Sequence, residues 1–307
     1  MPFVVRDPWR LQFFENVACP DHVRIAVDDL DCWEWQPELR HIYDKLYIAK
    51  SQDVACGLKD DVPLYFPVFA KPRINLHGLG HGTAILHNAG DFRTAMTDNL
   101  MWMEFFKGPH VSTDCAIVKG EVQWLRHATG IPLQGAIFER WIIHAASDGD
   151  LEATLRRWIG QELSGYTGMV NIETIGGSII EAQLRFADQW CDLNGDGWLE
   201  AVVGLYAGGS WSFRDDMRKD VYSMPLFANH GLVPPHPSNA LQEEIRERPG
   251  ISSLQITYHE GKVLADHHMP PGGFRLGIVN ALDLQVALAA RRDLARGFPG
   301  VACILPK

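Results

Sequence analysis

The sequence lacks the features of a membrane, secreted or nucleic-acid-binding protein. No run approaches the roughly eighteen apolar residues of a membrane-spanning helix. The first residues, Met-Pro-Phe-Val-Val-Arg-Asp-Pro-Trp, lack the basic start and apolar run of a signal peptide. The 28 lysines and arginines are outnumbered by 38 aspartates and glutamates, and they form no cluster. We therefore expect a cytoplasmic protein that binds neither membranes nor nucleic acid.

Cysteine is also too scattered to predict a zinc site or a redox pair. The chain has six cysteines and no Cys-x-x-Cys pattern. We expect them to be reduced thiols. They are Cys19, Cys32, Cys56, Cys115, Cys191 and Cys303.

The overall composition is that of an ordinary globular protein. The chain has 307 residues, of which 46% are hydrophobic and 21% are charged. That length can hold two domains. It leaves the oligomeric state open, a homo-oligomer included.

Residues 171–185 carry the densest set of candidate functional side chains. The pair Gly176-Gly177 separates two apolar runs and supplies the positive φ angles of a tight hairpin turn. Glu173 and Glu181 then lie on facing strands, opposite or diagonal to one another. Because two facing carboxylates repel, Mg²⁺ or another hard divalent cation would stabilise them. The alternative is a surface hairpin with scattered charges.

Two side chains continue the second strand of this hairpin. Gln183 and Arg185 follow Glu181 at a period of two, so the three share one face. An arginine at this place suits phosphate or carboxylate oxygens.

A glycine-rich loop and two lysines precede the hairpin. Residues 38–52 show a helical pattern with Lys45 beside its apolar face, and an apolar strand over 65–73 carries Lys71 near its end. The loop His77-Gly-Leu-Gly-His-Gly-Thr83 follows, and its three glycines, Gly78, Gly80 and Gly82, bring backbone amides close to a ligand such as a phosphate. The loop lacks the Gly-Lys-Ser/Thr end of a Walker A motif, and its glycines preclude a helix that would make a metal site of its histidines.

A second candidate segment is the strand that ends at Gly108. Glu104 is followed by the aromatic pair Phe105 and Phe106. A carboxylate beside exposed backbone and aromatic rings can line a slot for a flat base. The alternative is a glutamate at a strand end.

The remaining chain offers weaker signals. Residues 192–200 imitate a calcium loop, although Val203 stands where a bidentate glutamate belongs. The competing interpretation is a turn that caps a helix over 198–206. We expect residues 208–250 to form a surface excursion, and residues 254–296 to form a hairpin (254–258 with 262–265), a strand (274–279) and a helix (283–296).

Taken in order, these motifs resemble those of the ATP-grasp enzymes. The resemblance implies an α+β fold in which two α+β subdomains clamp ATP, with a short N-terminal region and a small C-terminal α/β element. The implied division is an N-terminal region over 1–40 and an ATP-grasp core over 41–207. The core has a lid subdomain near 66–130 and a metal-binding subdomain near 131–207, and residues 208–307 follow it.

The resemblance also implies a role for each motif. Lys45 and Lys71 contact ATP phosphates, the glycine loop is a phosphate lid, and Glu104, Phe105 and Phe106 form an adenine-binding hinge. The metal ligands for Mg²⁺, or Mn²⁺ in its place, are Glu173, Glu181 and Gln183. Arg185 acts with Lys71 in catalysis by holding the reacting phosphate or acceptor.

Two positions depart from the family pattern. Gln183 stands where asparagine is usual, and His110 stands where a carboxylate binds the ribose, although a histidine can also hydrogen-bond a hydroxyl. We expect a ligase that uses ATP and Mg²⁺ to activate a small carboxylate as an acyl phosphate for attack by an amine or other nucleophile. The alternatives are a catalytically degenerate ATP-grasp protein that binds nucleotide or acts as a scaffold, and a calcium-binding module.

Overall fold

The computed structural model describes residues 3–216, 218–231 and 233–306. Within these ranges the chain forms α-helices and strands in mixed order, with 3₁₀ helices at Pro8–Phe13, Pro37–Tyr43, Asp188–Leu193 and Leu264–Asp266. The helices are α1 (Asp29–Trp35), α2 (Lys45–Lys50), α3 (Ala89–Ala95), α4 (Gly149–Glu162), α5 (Trp198–Gly208), α6 (Asn239–Arg246) and α7 (Leu284–Arg296). The strands are β1 (Phe3–Val4), β2 (Ile25–Ala26), β3 (Cys56–Gly57), β4 (Val68–Pro72), β5 (Ala84–Leu86), β6 (Leu100–Glu104), β7 (His110–Val118), β8 (Glu121–Gln134), β9 (Ile137–Ile143), β10 (Gly168–Ile175), β11 (Ser178–Gln183), β12 (Val221–Ala228), β13 (Ile251–Ile256), β14 (Phe274–Ala281) and β15 (Cys303–Ile304).

A nine-stranded antiparallel sheet forms the body of the molecule. Its strands lie in the order β11-β10-β7-β8-β9-β12-β14-β13, and β15 pairs with β12. Side chains alternate between the two faces of a strand. Cys115 of β7 therefore packs in a core cluster with Leu155 of α4, while its neighbour Ala116 packs in another with Val202 of α5. The two helices thus cover opposite faces of the sheet.

A separate four-stranded antiparallel sheet has the order β3-β6-β4-β5. Phe92 of α3 packs with Val68 and Trp102 in the core of this sheet. Leu46 of α2 packs with Met103 of β6 in a further cluster that Ile180 of β11 also contacts. Helix α2 therefore lies between the small sheet and the hairpin at the edge of the large one.

The boundary between the two sheets differs from the expected one. The lid was expected near 66–130, but the small sheet spans 56–104. Strands β7 and β8 lie in the large sheet because β7 pairs along its length with β10, and β8 pairs with β9.

The expectation of a surface excursion over 208–250 is wrong. This segment includes β12, of which seven of eight residues are buried, and helix α6. Pro225 lies inside β12, where proline would remove a ladder hydrogen bond on a fully paired strand. Strand β9 pairs with residues 221–223 and β15 pairs with residues 227–228, so Pro225 falls between the two partners.

Two other expected elements are also wrong. The helix expected over 38–52 is a 3₁₀ helix followed by α2, because Asp44 breaks it and accepts a hydrogen bond from the Leu46 amide as the cap of α2. The hairpin expected between 254–258 and 262–265 does not form, since β13 pairs with β14 instead. The C-terminal strand and helix are present as β14 and α7.

The calcium-loop interpretation of 192–200 is also wrong. The Asp192 carboxylate is turned toward the sheet, where Oδ1 accepts from Asn280 Nδ2 and Oδ2 accepts from Ser252 Oγ, both at 2.6 Å. Helix α5 then begins at Trp198 after Gly197, without a side-chain cap. In the described part of the chain, no three His, Cys, Asp or Glu side chains converge to hold a metal ion.

No helix among the described residues is long and apolar enough to cross a membrane.

Candidate functional site

The β10–β11 hairpin places its two glutamates face to face. Glu173 and Glu181 are direct partners in the register of this antiparallel pair, and a β-bulge follows Glu173. Gly176 and Gly177 form the turn with φ angles of 57° and 89°. The hairpin, its turn and its carboxylate pair agree with the sequence analysis.

Each of the two carboxylates has its own basic partner. Lys45 Nζ lies 3.2 Å from Glu181 Oε1, and His110 Nε2 lies 2.8 Å from Glu173 Oε2. Burial alone would raise the pKa of Glu173, but the hydrogen bond and charge of His110 outweigh it, with help from Arg185 and Lys45, so this pKa is lowered. The Glu173 carboxylate is therefore set up to stay ionised beside its register partner Glu181.

Gln183 supplies a free oxygen beside this pair. Its Nε2 donates to Glu181 Oε1 at 3.1 Å, while its Oε1 is buried and has no hydrogen-bond partner. A buried amide oxygen without a donor costs free energy. Mg²⁺ prefers oxygen ligands, so two carboxylates and this amide oxygen fit such an ion.

Two buried lysines approach the same hairpin. Lys71 of β4 donates from Nζ to the Ile180 carbonyl oxygen at 2.7 Å, and Lys45 begins α2. Each residue is only 5% exposed. Burial, with a smaller contribution from the charge of Lys45, lowers the pKa of Lys71 to about 8 against the opposing influence of Glu181. Lys45, which the helical pattern places beside the apolar face, is thus buried and ion-paired.

A side chain from the turn after α2 and one from β4 also complete the edge of the large sheet. The backbone of β11 has a neighbouring strand on one side only. On the open side, the Gln52 amide donates to the Ile179 carbonyl oxygen and accepts from the Ile179 amide, at 2.9 and 2.8 Å. Together with the bond from Lys71 to Ile180, these contacts fix the hairpin against the small sheet.

Arg185 has a carboxylate partner that the sequence did not reveal. Its Nε and Nη2 donate to Asp29 Oδ1 and Oδ2, each at 2.8 Å. Asp29 begins α1, in the short N-terminal region that precedes the predicted ATP-grasp core. A bidentate pair of this kind fixes the plane of the guanidinium group.

The glycine loop adopts the conformation that its composition predicts. Gly78, Gly80 and Gly82 have φ angles of 62°, 66° and 70°. Asn75 Nδ2 donates to the Gly78 carbonyl oxygen at 2.9 Å, and Thr83 Oγ1 donates to that of Gly80 at the same distance. These side chains hold the loop in a defined curve.

The proposed adenine hinge lies at the end of the small sheet. Glu104 is the exposed last residue of β6, and Phe106 packs beside Met103. The segment that follows the hinge contacts the turn of the β10–β11 hairpin. A Cβ on Gly108 would lie only 2.8 Å from the Gly176 Cα. Glycine at both positions lets the two backbones touch.

A cavity of about 1220 Å³ joins these elements. Lys45, Lys71, the three loop glycines, His110, Glu173, Glu181, Gln183 and Arg185 line it, together with residues of the C-terminal region. Glu104, Phe105 and Phe106 do not line it. The structure thus brings most of the sequence-derived candidates to one space between the two sheets, and leaves the hinge residues at its border.

Next to Gln183, on the face of the hairpin that carries the two glutamates, a buried polar group supports the site. Asn171, the register partner of Gln183, donates from Nδ2 to Asp114 Oδ1 at 2.8 Å, and Asp114 also accepts from the Ala187 amide. Burial raises the pKa of Asp114 to about 6. The period-two pattern through Asn171 and Glu173 was the one sequence signal for this group.

Comparison with known proteins bears on the fold. No protein-family model matches the chain, and no curated protein matches it by sequence. Among solved structures, L-amino acid ligase from Bacillus licheniformis superimposes with a TM-score of 0.66 and 13% sequence identity, over 97% of this chain and 84% of that one.

Two further solved structures show the same likeness. Phosphoribosylamine–glycine ligase from Thermotoga maritima has a TM-score of 0.59 and 15% identity, over 87% of this chain and 79% of that one. The biotin carboxylase domain of 2-oxoglutarate carboxylase from Hydrogenobacter thermophilus, in complex with MgADP, ADP and bicarbonate, has a TM-score of 0.57 and 14% identity, over 87% and 67%. The chain therefore has the ATP-grasp fold, as the order of its motifs indicated.

Proposed function

We propose that the protein is a ligase that uses ATP and Mg²⁺ to activate a carboxylate as an acyl phosphate, which an amine or another nucleophile then attacks. The observation that carries this proposal is the pair Glu173 and Glu181, face to face in register, with the free oxygen of Gln183 beside it. Lys45 and His110 each contact one carboxylate, but the buried Gln183 oxygen has no donor, and a divalent cation between the three groups would satisfy it.

The lysines and the loop account for the nucleotide. Lys45 and Lys71 place two ammonium groups next to the carboxylates, where they would hold the α- and β-phosphates. The positive φ angles of the glycine loop leave its backbone amides free to cover the phosphates. Bound Mg²⁺, held by Glu173, Glu181 and Gln183, would supply positive charge that offsets the charge of the transferred phosphoryl group.

Two further side chains orient the site. Arg185, fixed by Asp29, would present its guanidinium group to the reacting phosphate or acceptor. His110 contacts Glu173 rather than lying free, so we assign it the orientation of this metal ligand in place of ribose binding. No nucleophile from the protein is required.

The solved structures with this fold support the nucleotide and the reaction class. One of them, carboxyaminoimidazole ribonucleotide synthase from Aspergillus clavatus, was crystallised with ATP, with a TM-score of 0.58 and 13% identity over 84% of this chain and 73% of that one. Several are named as ligases or synthetases.

Calorimetric titration with ATP tests the proposal. We expect micromolar binding that needs Mg²⁺ and weakens at least tenfold in Lys71→Ala, since a charge beside the phosphates is lost. Lys59→Ala is the matched control, because Lys59 is exposed and pairs with Asp98 on the small sheet. Absence of ATP binding in the wild type would overturn the proposal, and binding without ADP release for any carboxylate and amine would favour the degenerate alternative.

A further inference from the structure

The end of the cavity beyond Arg185 carries charged groups that the proposed ATP site does not use. Arg10, Asp188 and Arg275 line this end together with Asp7. Burial alone would lower the pKa of the Arg185 guanidinium, but Asp29 and, to a smaller extent, Asp188 outweigh it and raise this pKa. The charged end therefore adjoins the place where the acceptor chemistry is proposed.

Arg10 is a buried cation with only part of its hydrogen bonding satisfied. It is 3% exposed, and its Nε donates to Asp188 Oδ2 at 2.9 Å. Its Nη1 is buried and has no partner. A guanidinium group carries five N–H donors, and Arg10 lines the cavity, so its unpartnered end calls for an acceptor.

Arg275 of β14 is a second cation at this end of the cavity, partly exposed and with its hydrogen bonding also incomplete. Its Nε is buried without a partner. Burial and the nearby charge of Arg10 lower the pKa of Arg275 to about 10, while Asp7 and Asp188 oppose this shift. Two guanidinium groups that repel one another are stabilised by an anion placed between them.

Asp7 is the complementary group. Its carboxylate is half-buried and makes no side-chain hydrogen bond or ion pair with any described residue. Burial and the charge of Asp188 raise the pKa of Asp7, against the influence of Arg10 and Arg275. Asp7 and Arg275 thus affect one another electrostatically without pairing, although both line the cavity.

We propose that this end of the cavity binds a small zwitterion of the α-amino acid class, with its carboxylate between Arg10 and Arg275 and its ammonium group at Asp7. Unpartnered groups of both signs at one place favour a ligand that carries both signs. A simple carboxylic acid would leave Asp7 unsatisfied, and a simple amine would leave the two guanidinium groups unsatisfied. The inference names a substrate class, and it rests on the proposed ligase function.

The test uses the full chain and the twenty amino acids found in proteins. Each is compared with the carboxylic acid that lacks its α-amine and with the amine that lacks its α-carboxylate. Melting temperature without ATP reports binding, and ADP release with ATP and Mg²⁺ reports turnover. We expect at least one amino acid to raise both the melting temperature and the rate of ADP release. Each of its two analogues should need at least tenfold higher concentration for the same effect.

Matched variants assign the effect to the named groups. Asp7→Asn and Arg275→Gln should each raise the KM for the amino acid at least tenfold and leave the Kd of ATP within twofold. Arg296→Gln, at an arginine with 78% side-chain exposure on α7, is the control and should change neither.

The outcomes separate the two proposals. Mg²⁺-dependent ATP binding combined with equal activity of the deaminated acids would overturn the zwitterion assignment and keep the ligase. No melting shift and no ADP release with any amino acid would also overturn it. If ATP does not bind, the ligase proposal fails, whereas an amino-acid melting shift that Asp7→Asn abolishes would still support the zwitterion site.

Discussion

Glu173 and Glu181 are direct register partners, yet their carboxylates are contacted by basic side chains from different elements. His110 of β7 contacts the first, and Lys45 of α2 contacts the second. One partner therefore belongs to the large sheet, and the other to the helix that joins it to the small sheet. The position of the small sheet and the charge balance of the hairpin depend on one another.

The first prediction concerns the metal ligand on β11. Glu181→Gln keeps the shape of the side chain and removes its charge, so Mg²⁺-dependent ADP release should fall by about a hundredfold or more, on the order of 3 kcal/mol in the barrier. The unfolding midpoint in urea should move little. Glu121→Gln, at an exposed glutamate that begins β8, is the control and should keep full activity. Retained turnover in Glu181→Gln would disprove the assignment.

The second prediction concerns pH and Lys71. Burial lowers the pKa of this ammonium group to about 8. Above that pH the free protein loses the charge, so the affinity for ATP should fall as pH rises through about 8. Calorimetry from pH 6.5 to 9.5 measures this. Lys71→Arg, which stays charged over the range, should show a flat profile, and a wild-type affinity that does not change with pH would contradict the prediction.

The third prediction concerns stability and Asp114. Burial raises the pKa of this carboxyl group from the ordinary aspartate value of 3.8 to about 6 in the folded state. The folded protein holds the proton more tightly, so the contribution of this group is fully present below the unfolded pKa. It is lost as pH rises through about 6.

Asp114→Asn removes this titration and keeps an oxygen for Asn171 and the Ala187 amide to donate to. The free energy of unfolding of the wild type, relative to this variant, should fall by about 2 to 3 kcal/mol between pH 4 and pH 7. Urea unfolding at the two pH values measures the difference. An unchanged difference would show that Asp114 does not titrate in this range.

The fourth prediction uses the two turn glycines as a matched pair. A Cβ on Gly176 would lie 2.4 Å from the Lys107 carbonyl oxygen, whereas nothing lies within 4 Å of one on Gly177. Both residues have positive φ, so alanine is strained at both, but only Gly176→Ala also separates the hairpin from the hinge. We expect Gly176→Ala to lower the unfolding midpoint and the ATP affinity more than Gly177→Ala. Equal effects would show that the contact with Lys107 is unimportant.

Local patterns predicted the hairpin well, because a Gly-Gly turn and period-two alternation fix which side chains face each other. The same reasoning placed Lys71 on a strand and the glycines in a loop. It missed β12, because a proline such as Pro225 argues against a fully paired strand. Only the structure shows that Pro225 lies between the segments of β12 that pair with β9 and β15.

Long-range pairs were also beyond the sequence. Asp29 meets Arg185, and Arg10 meets Asp188, across separations of 156 and 178 residues. Neither aspartate lies in a recognisable motif. Their importance follows only from the arginines that the fold places against them.

The bonds between Gln52 and Ile179 have a consequence for solubility. Strand β11 ends the large sheet, and an open strand edge offers its amides and carbonyls to strands of other molecules. The Gln52 side chain donates a hydrogen bond to the Ile179 carbonyl oxygen and accepts one from its amide, as a neighbouring strand would. Lys71 donates to the carbonyl oxygen of the next residue, Ile180. The side chains that hold the hairpin in place therefore also shield the protein from edge-to-edge aggregation.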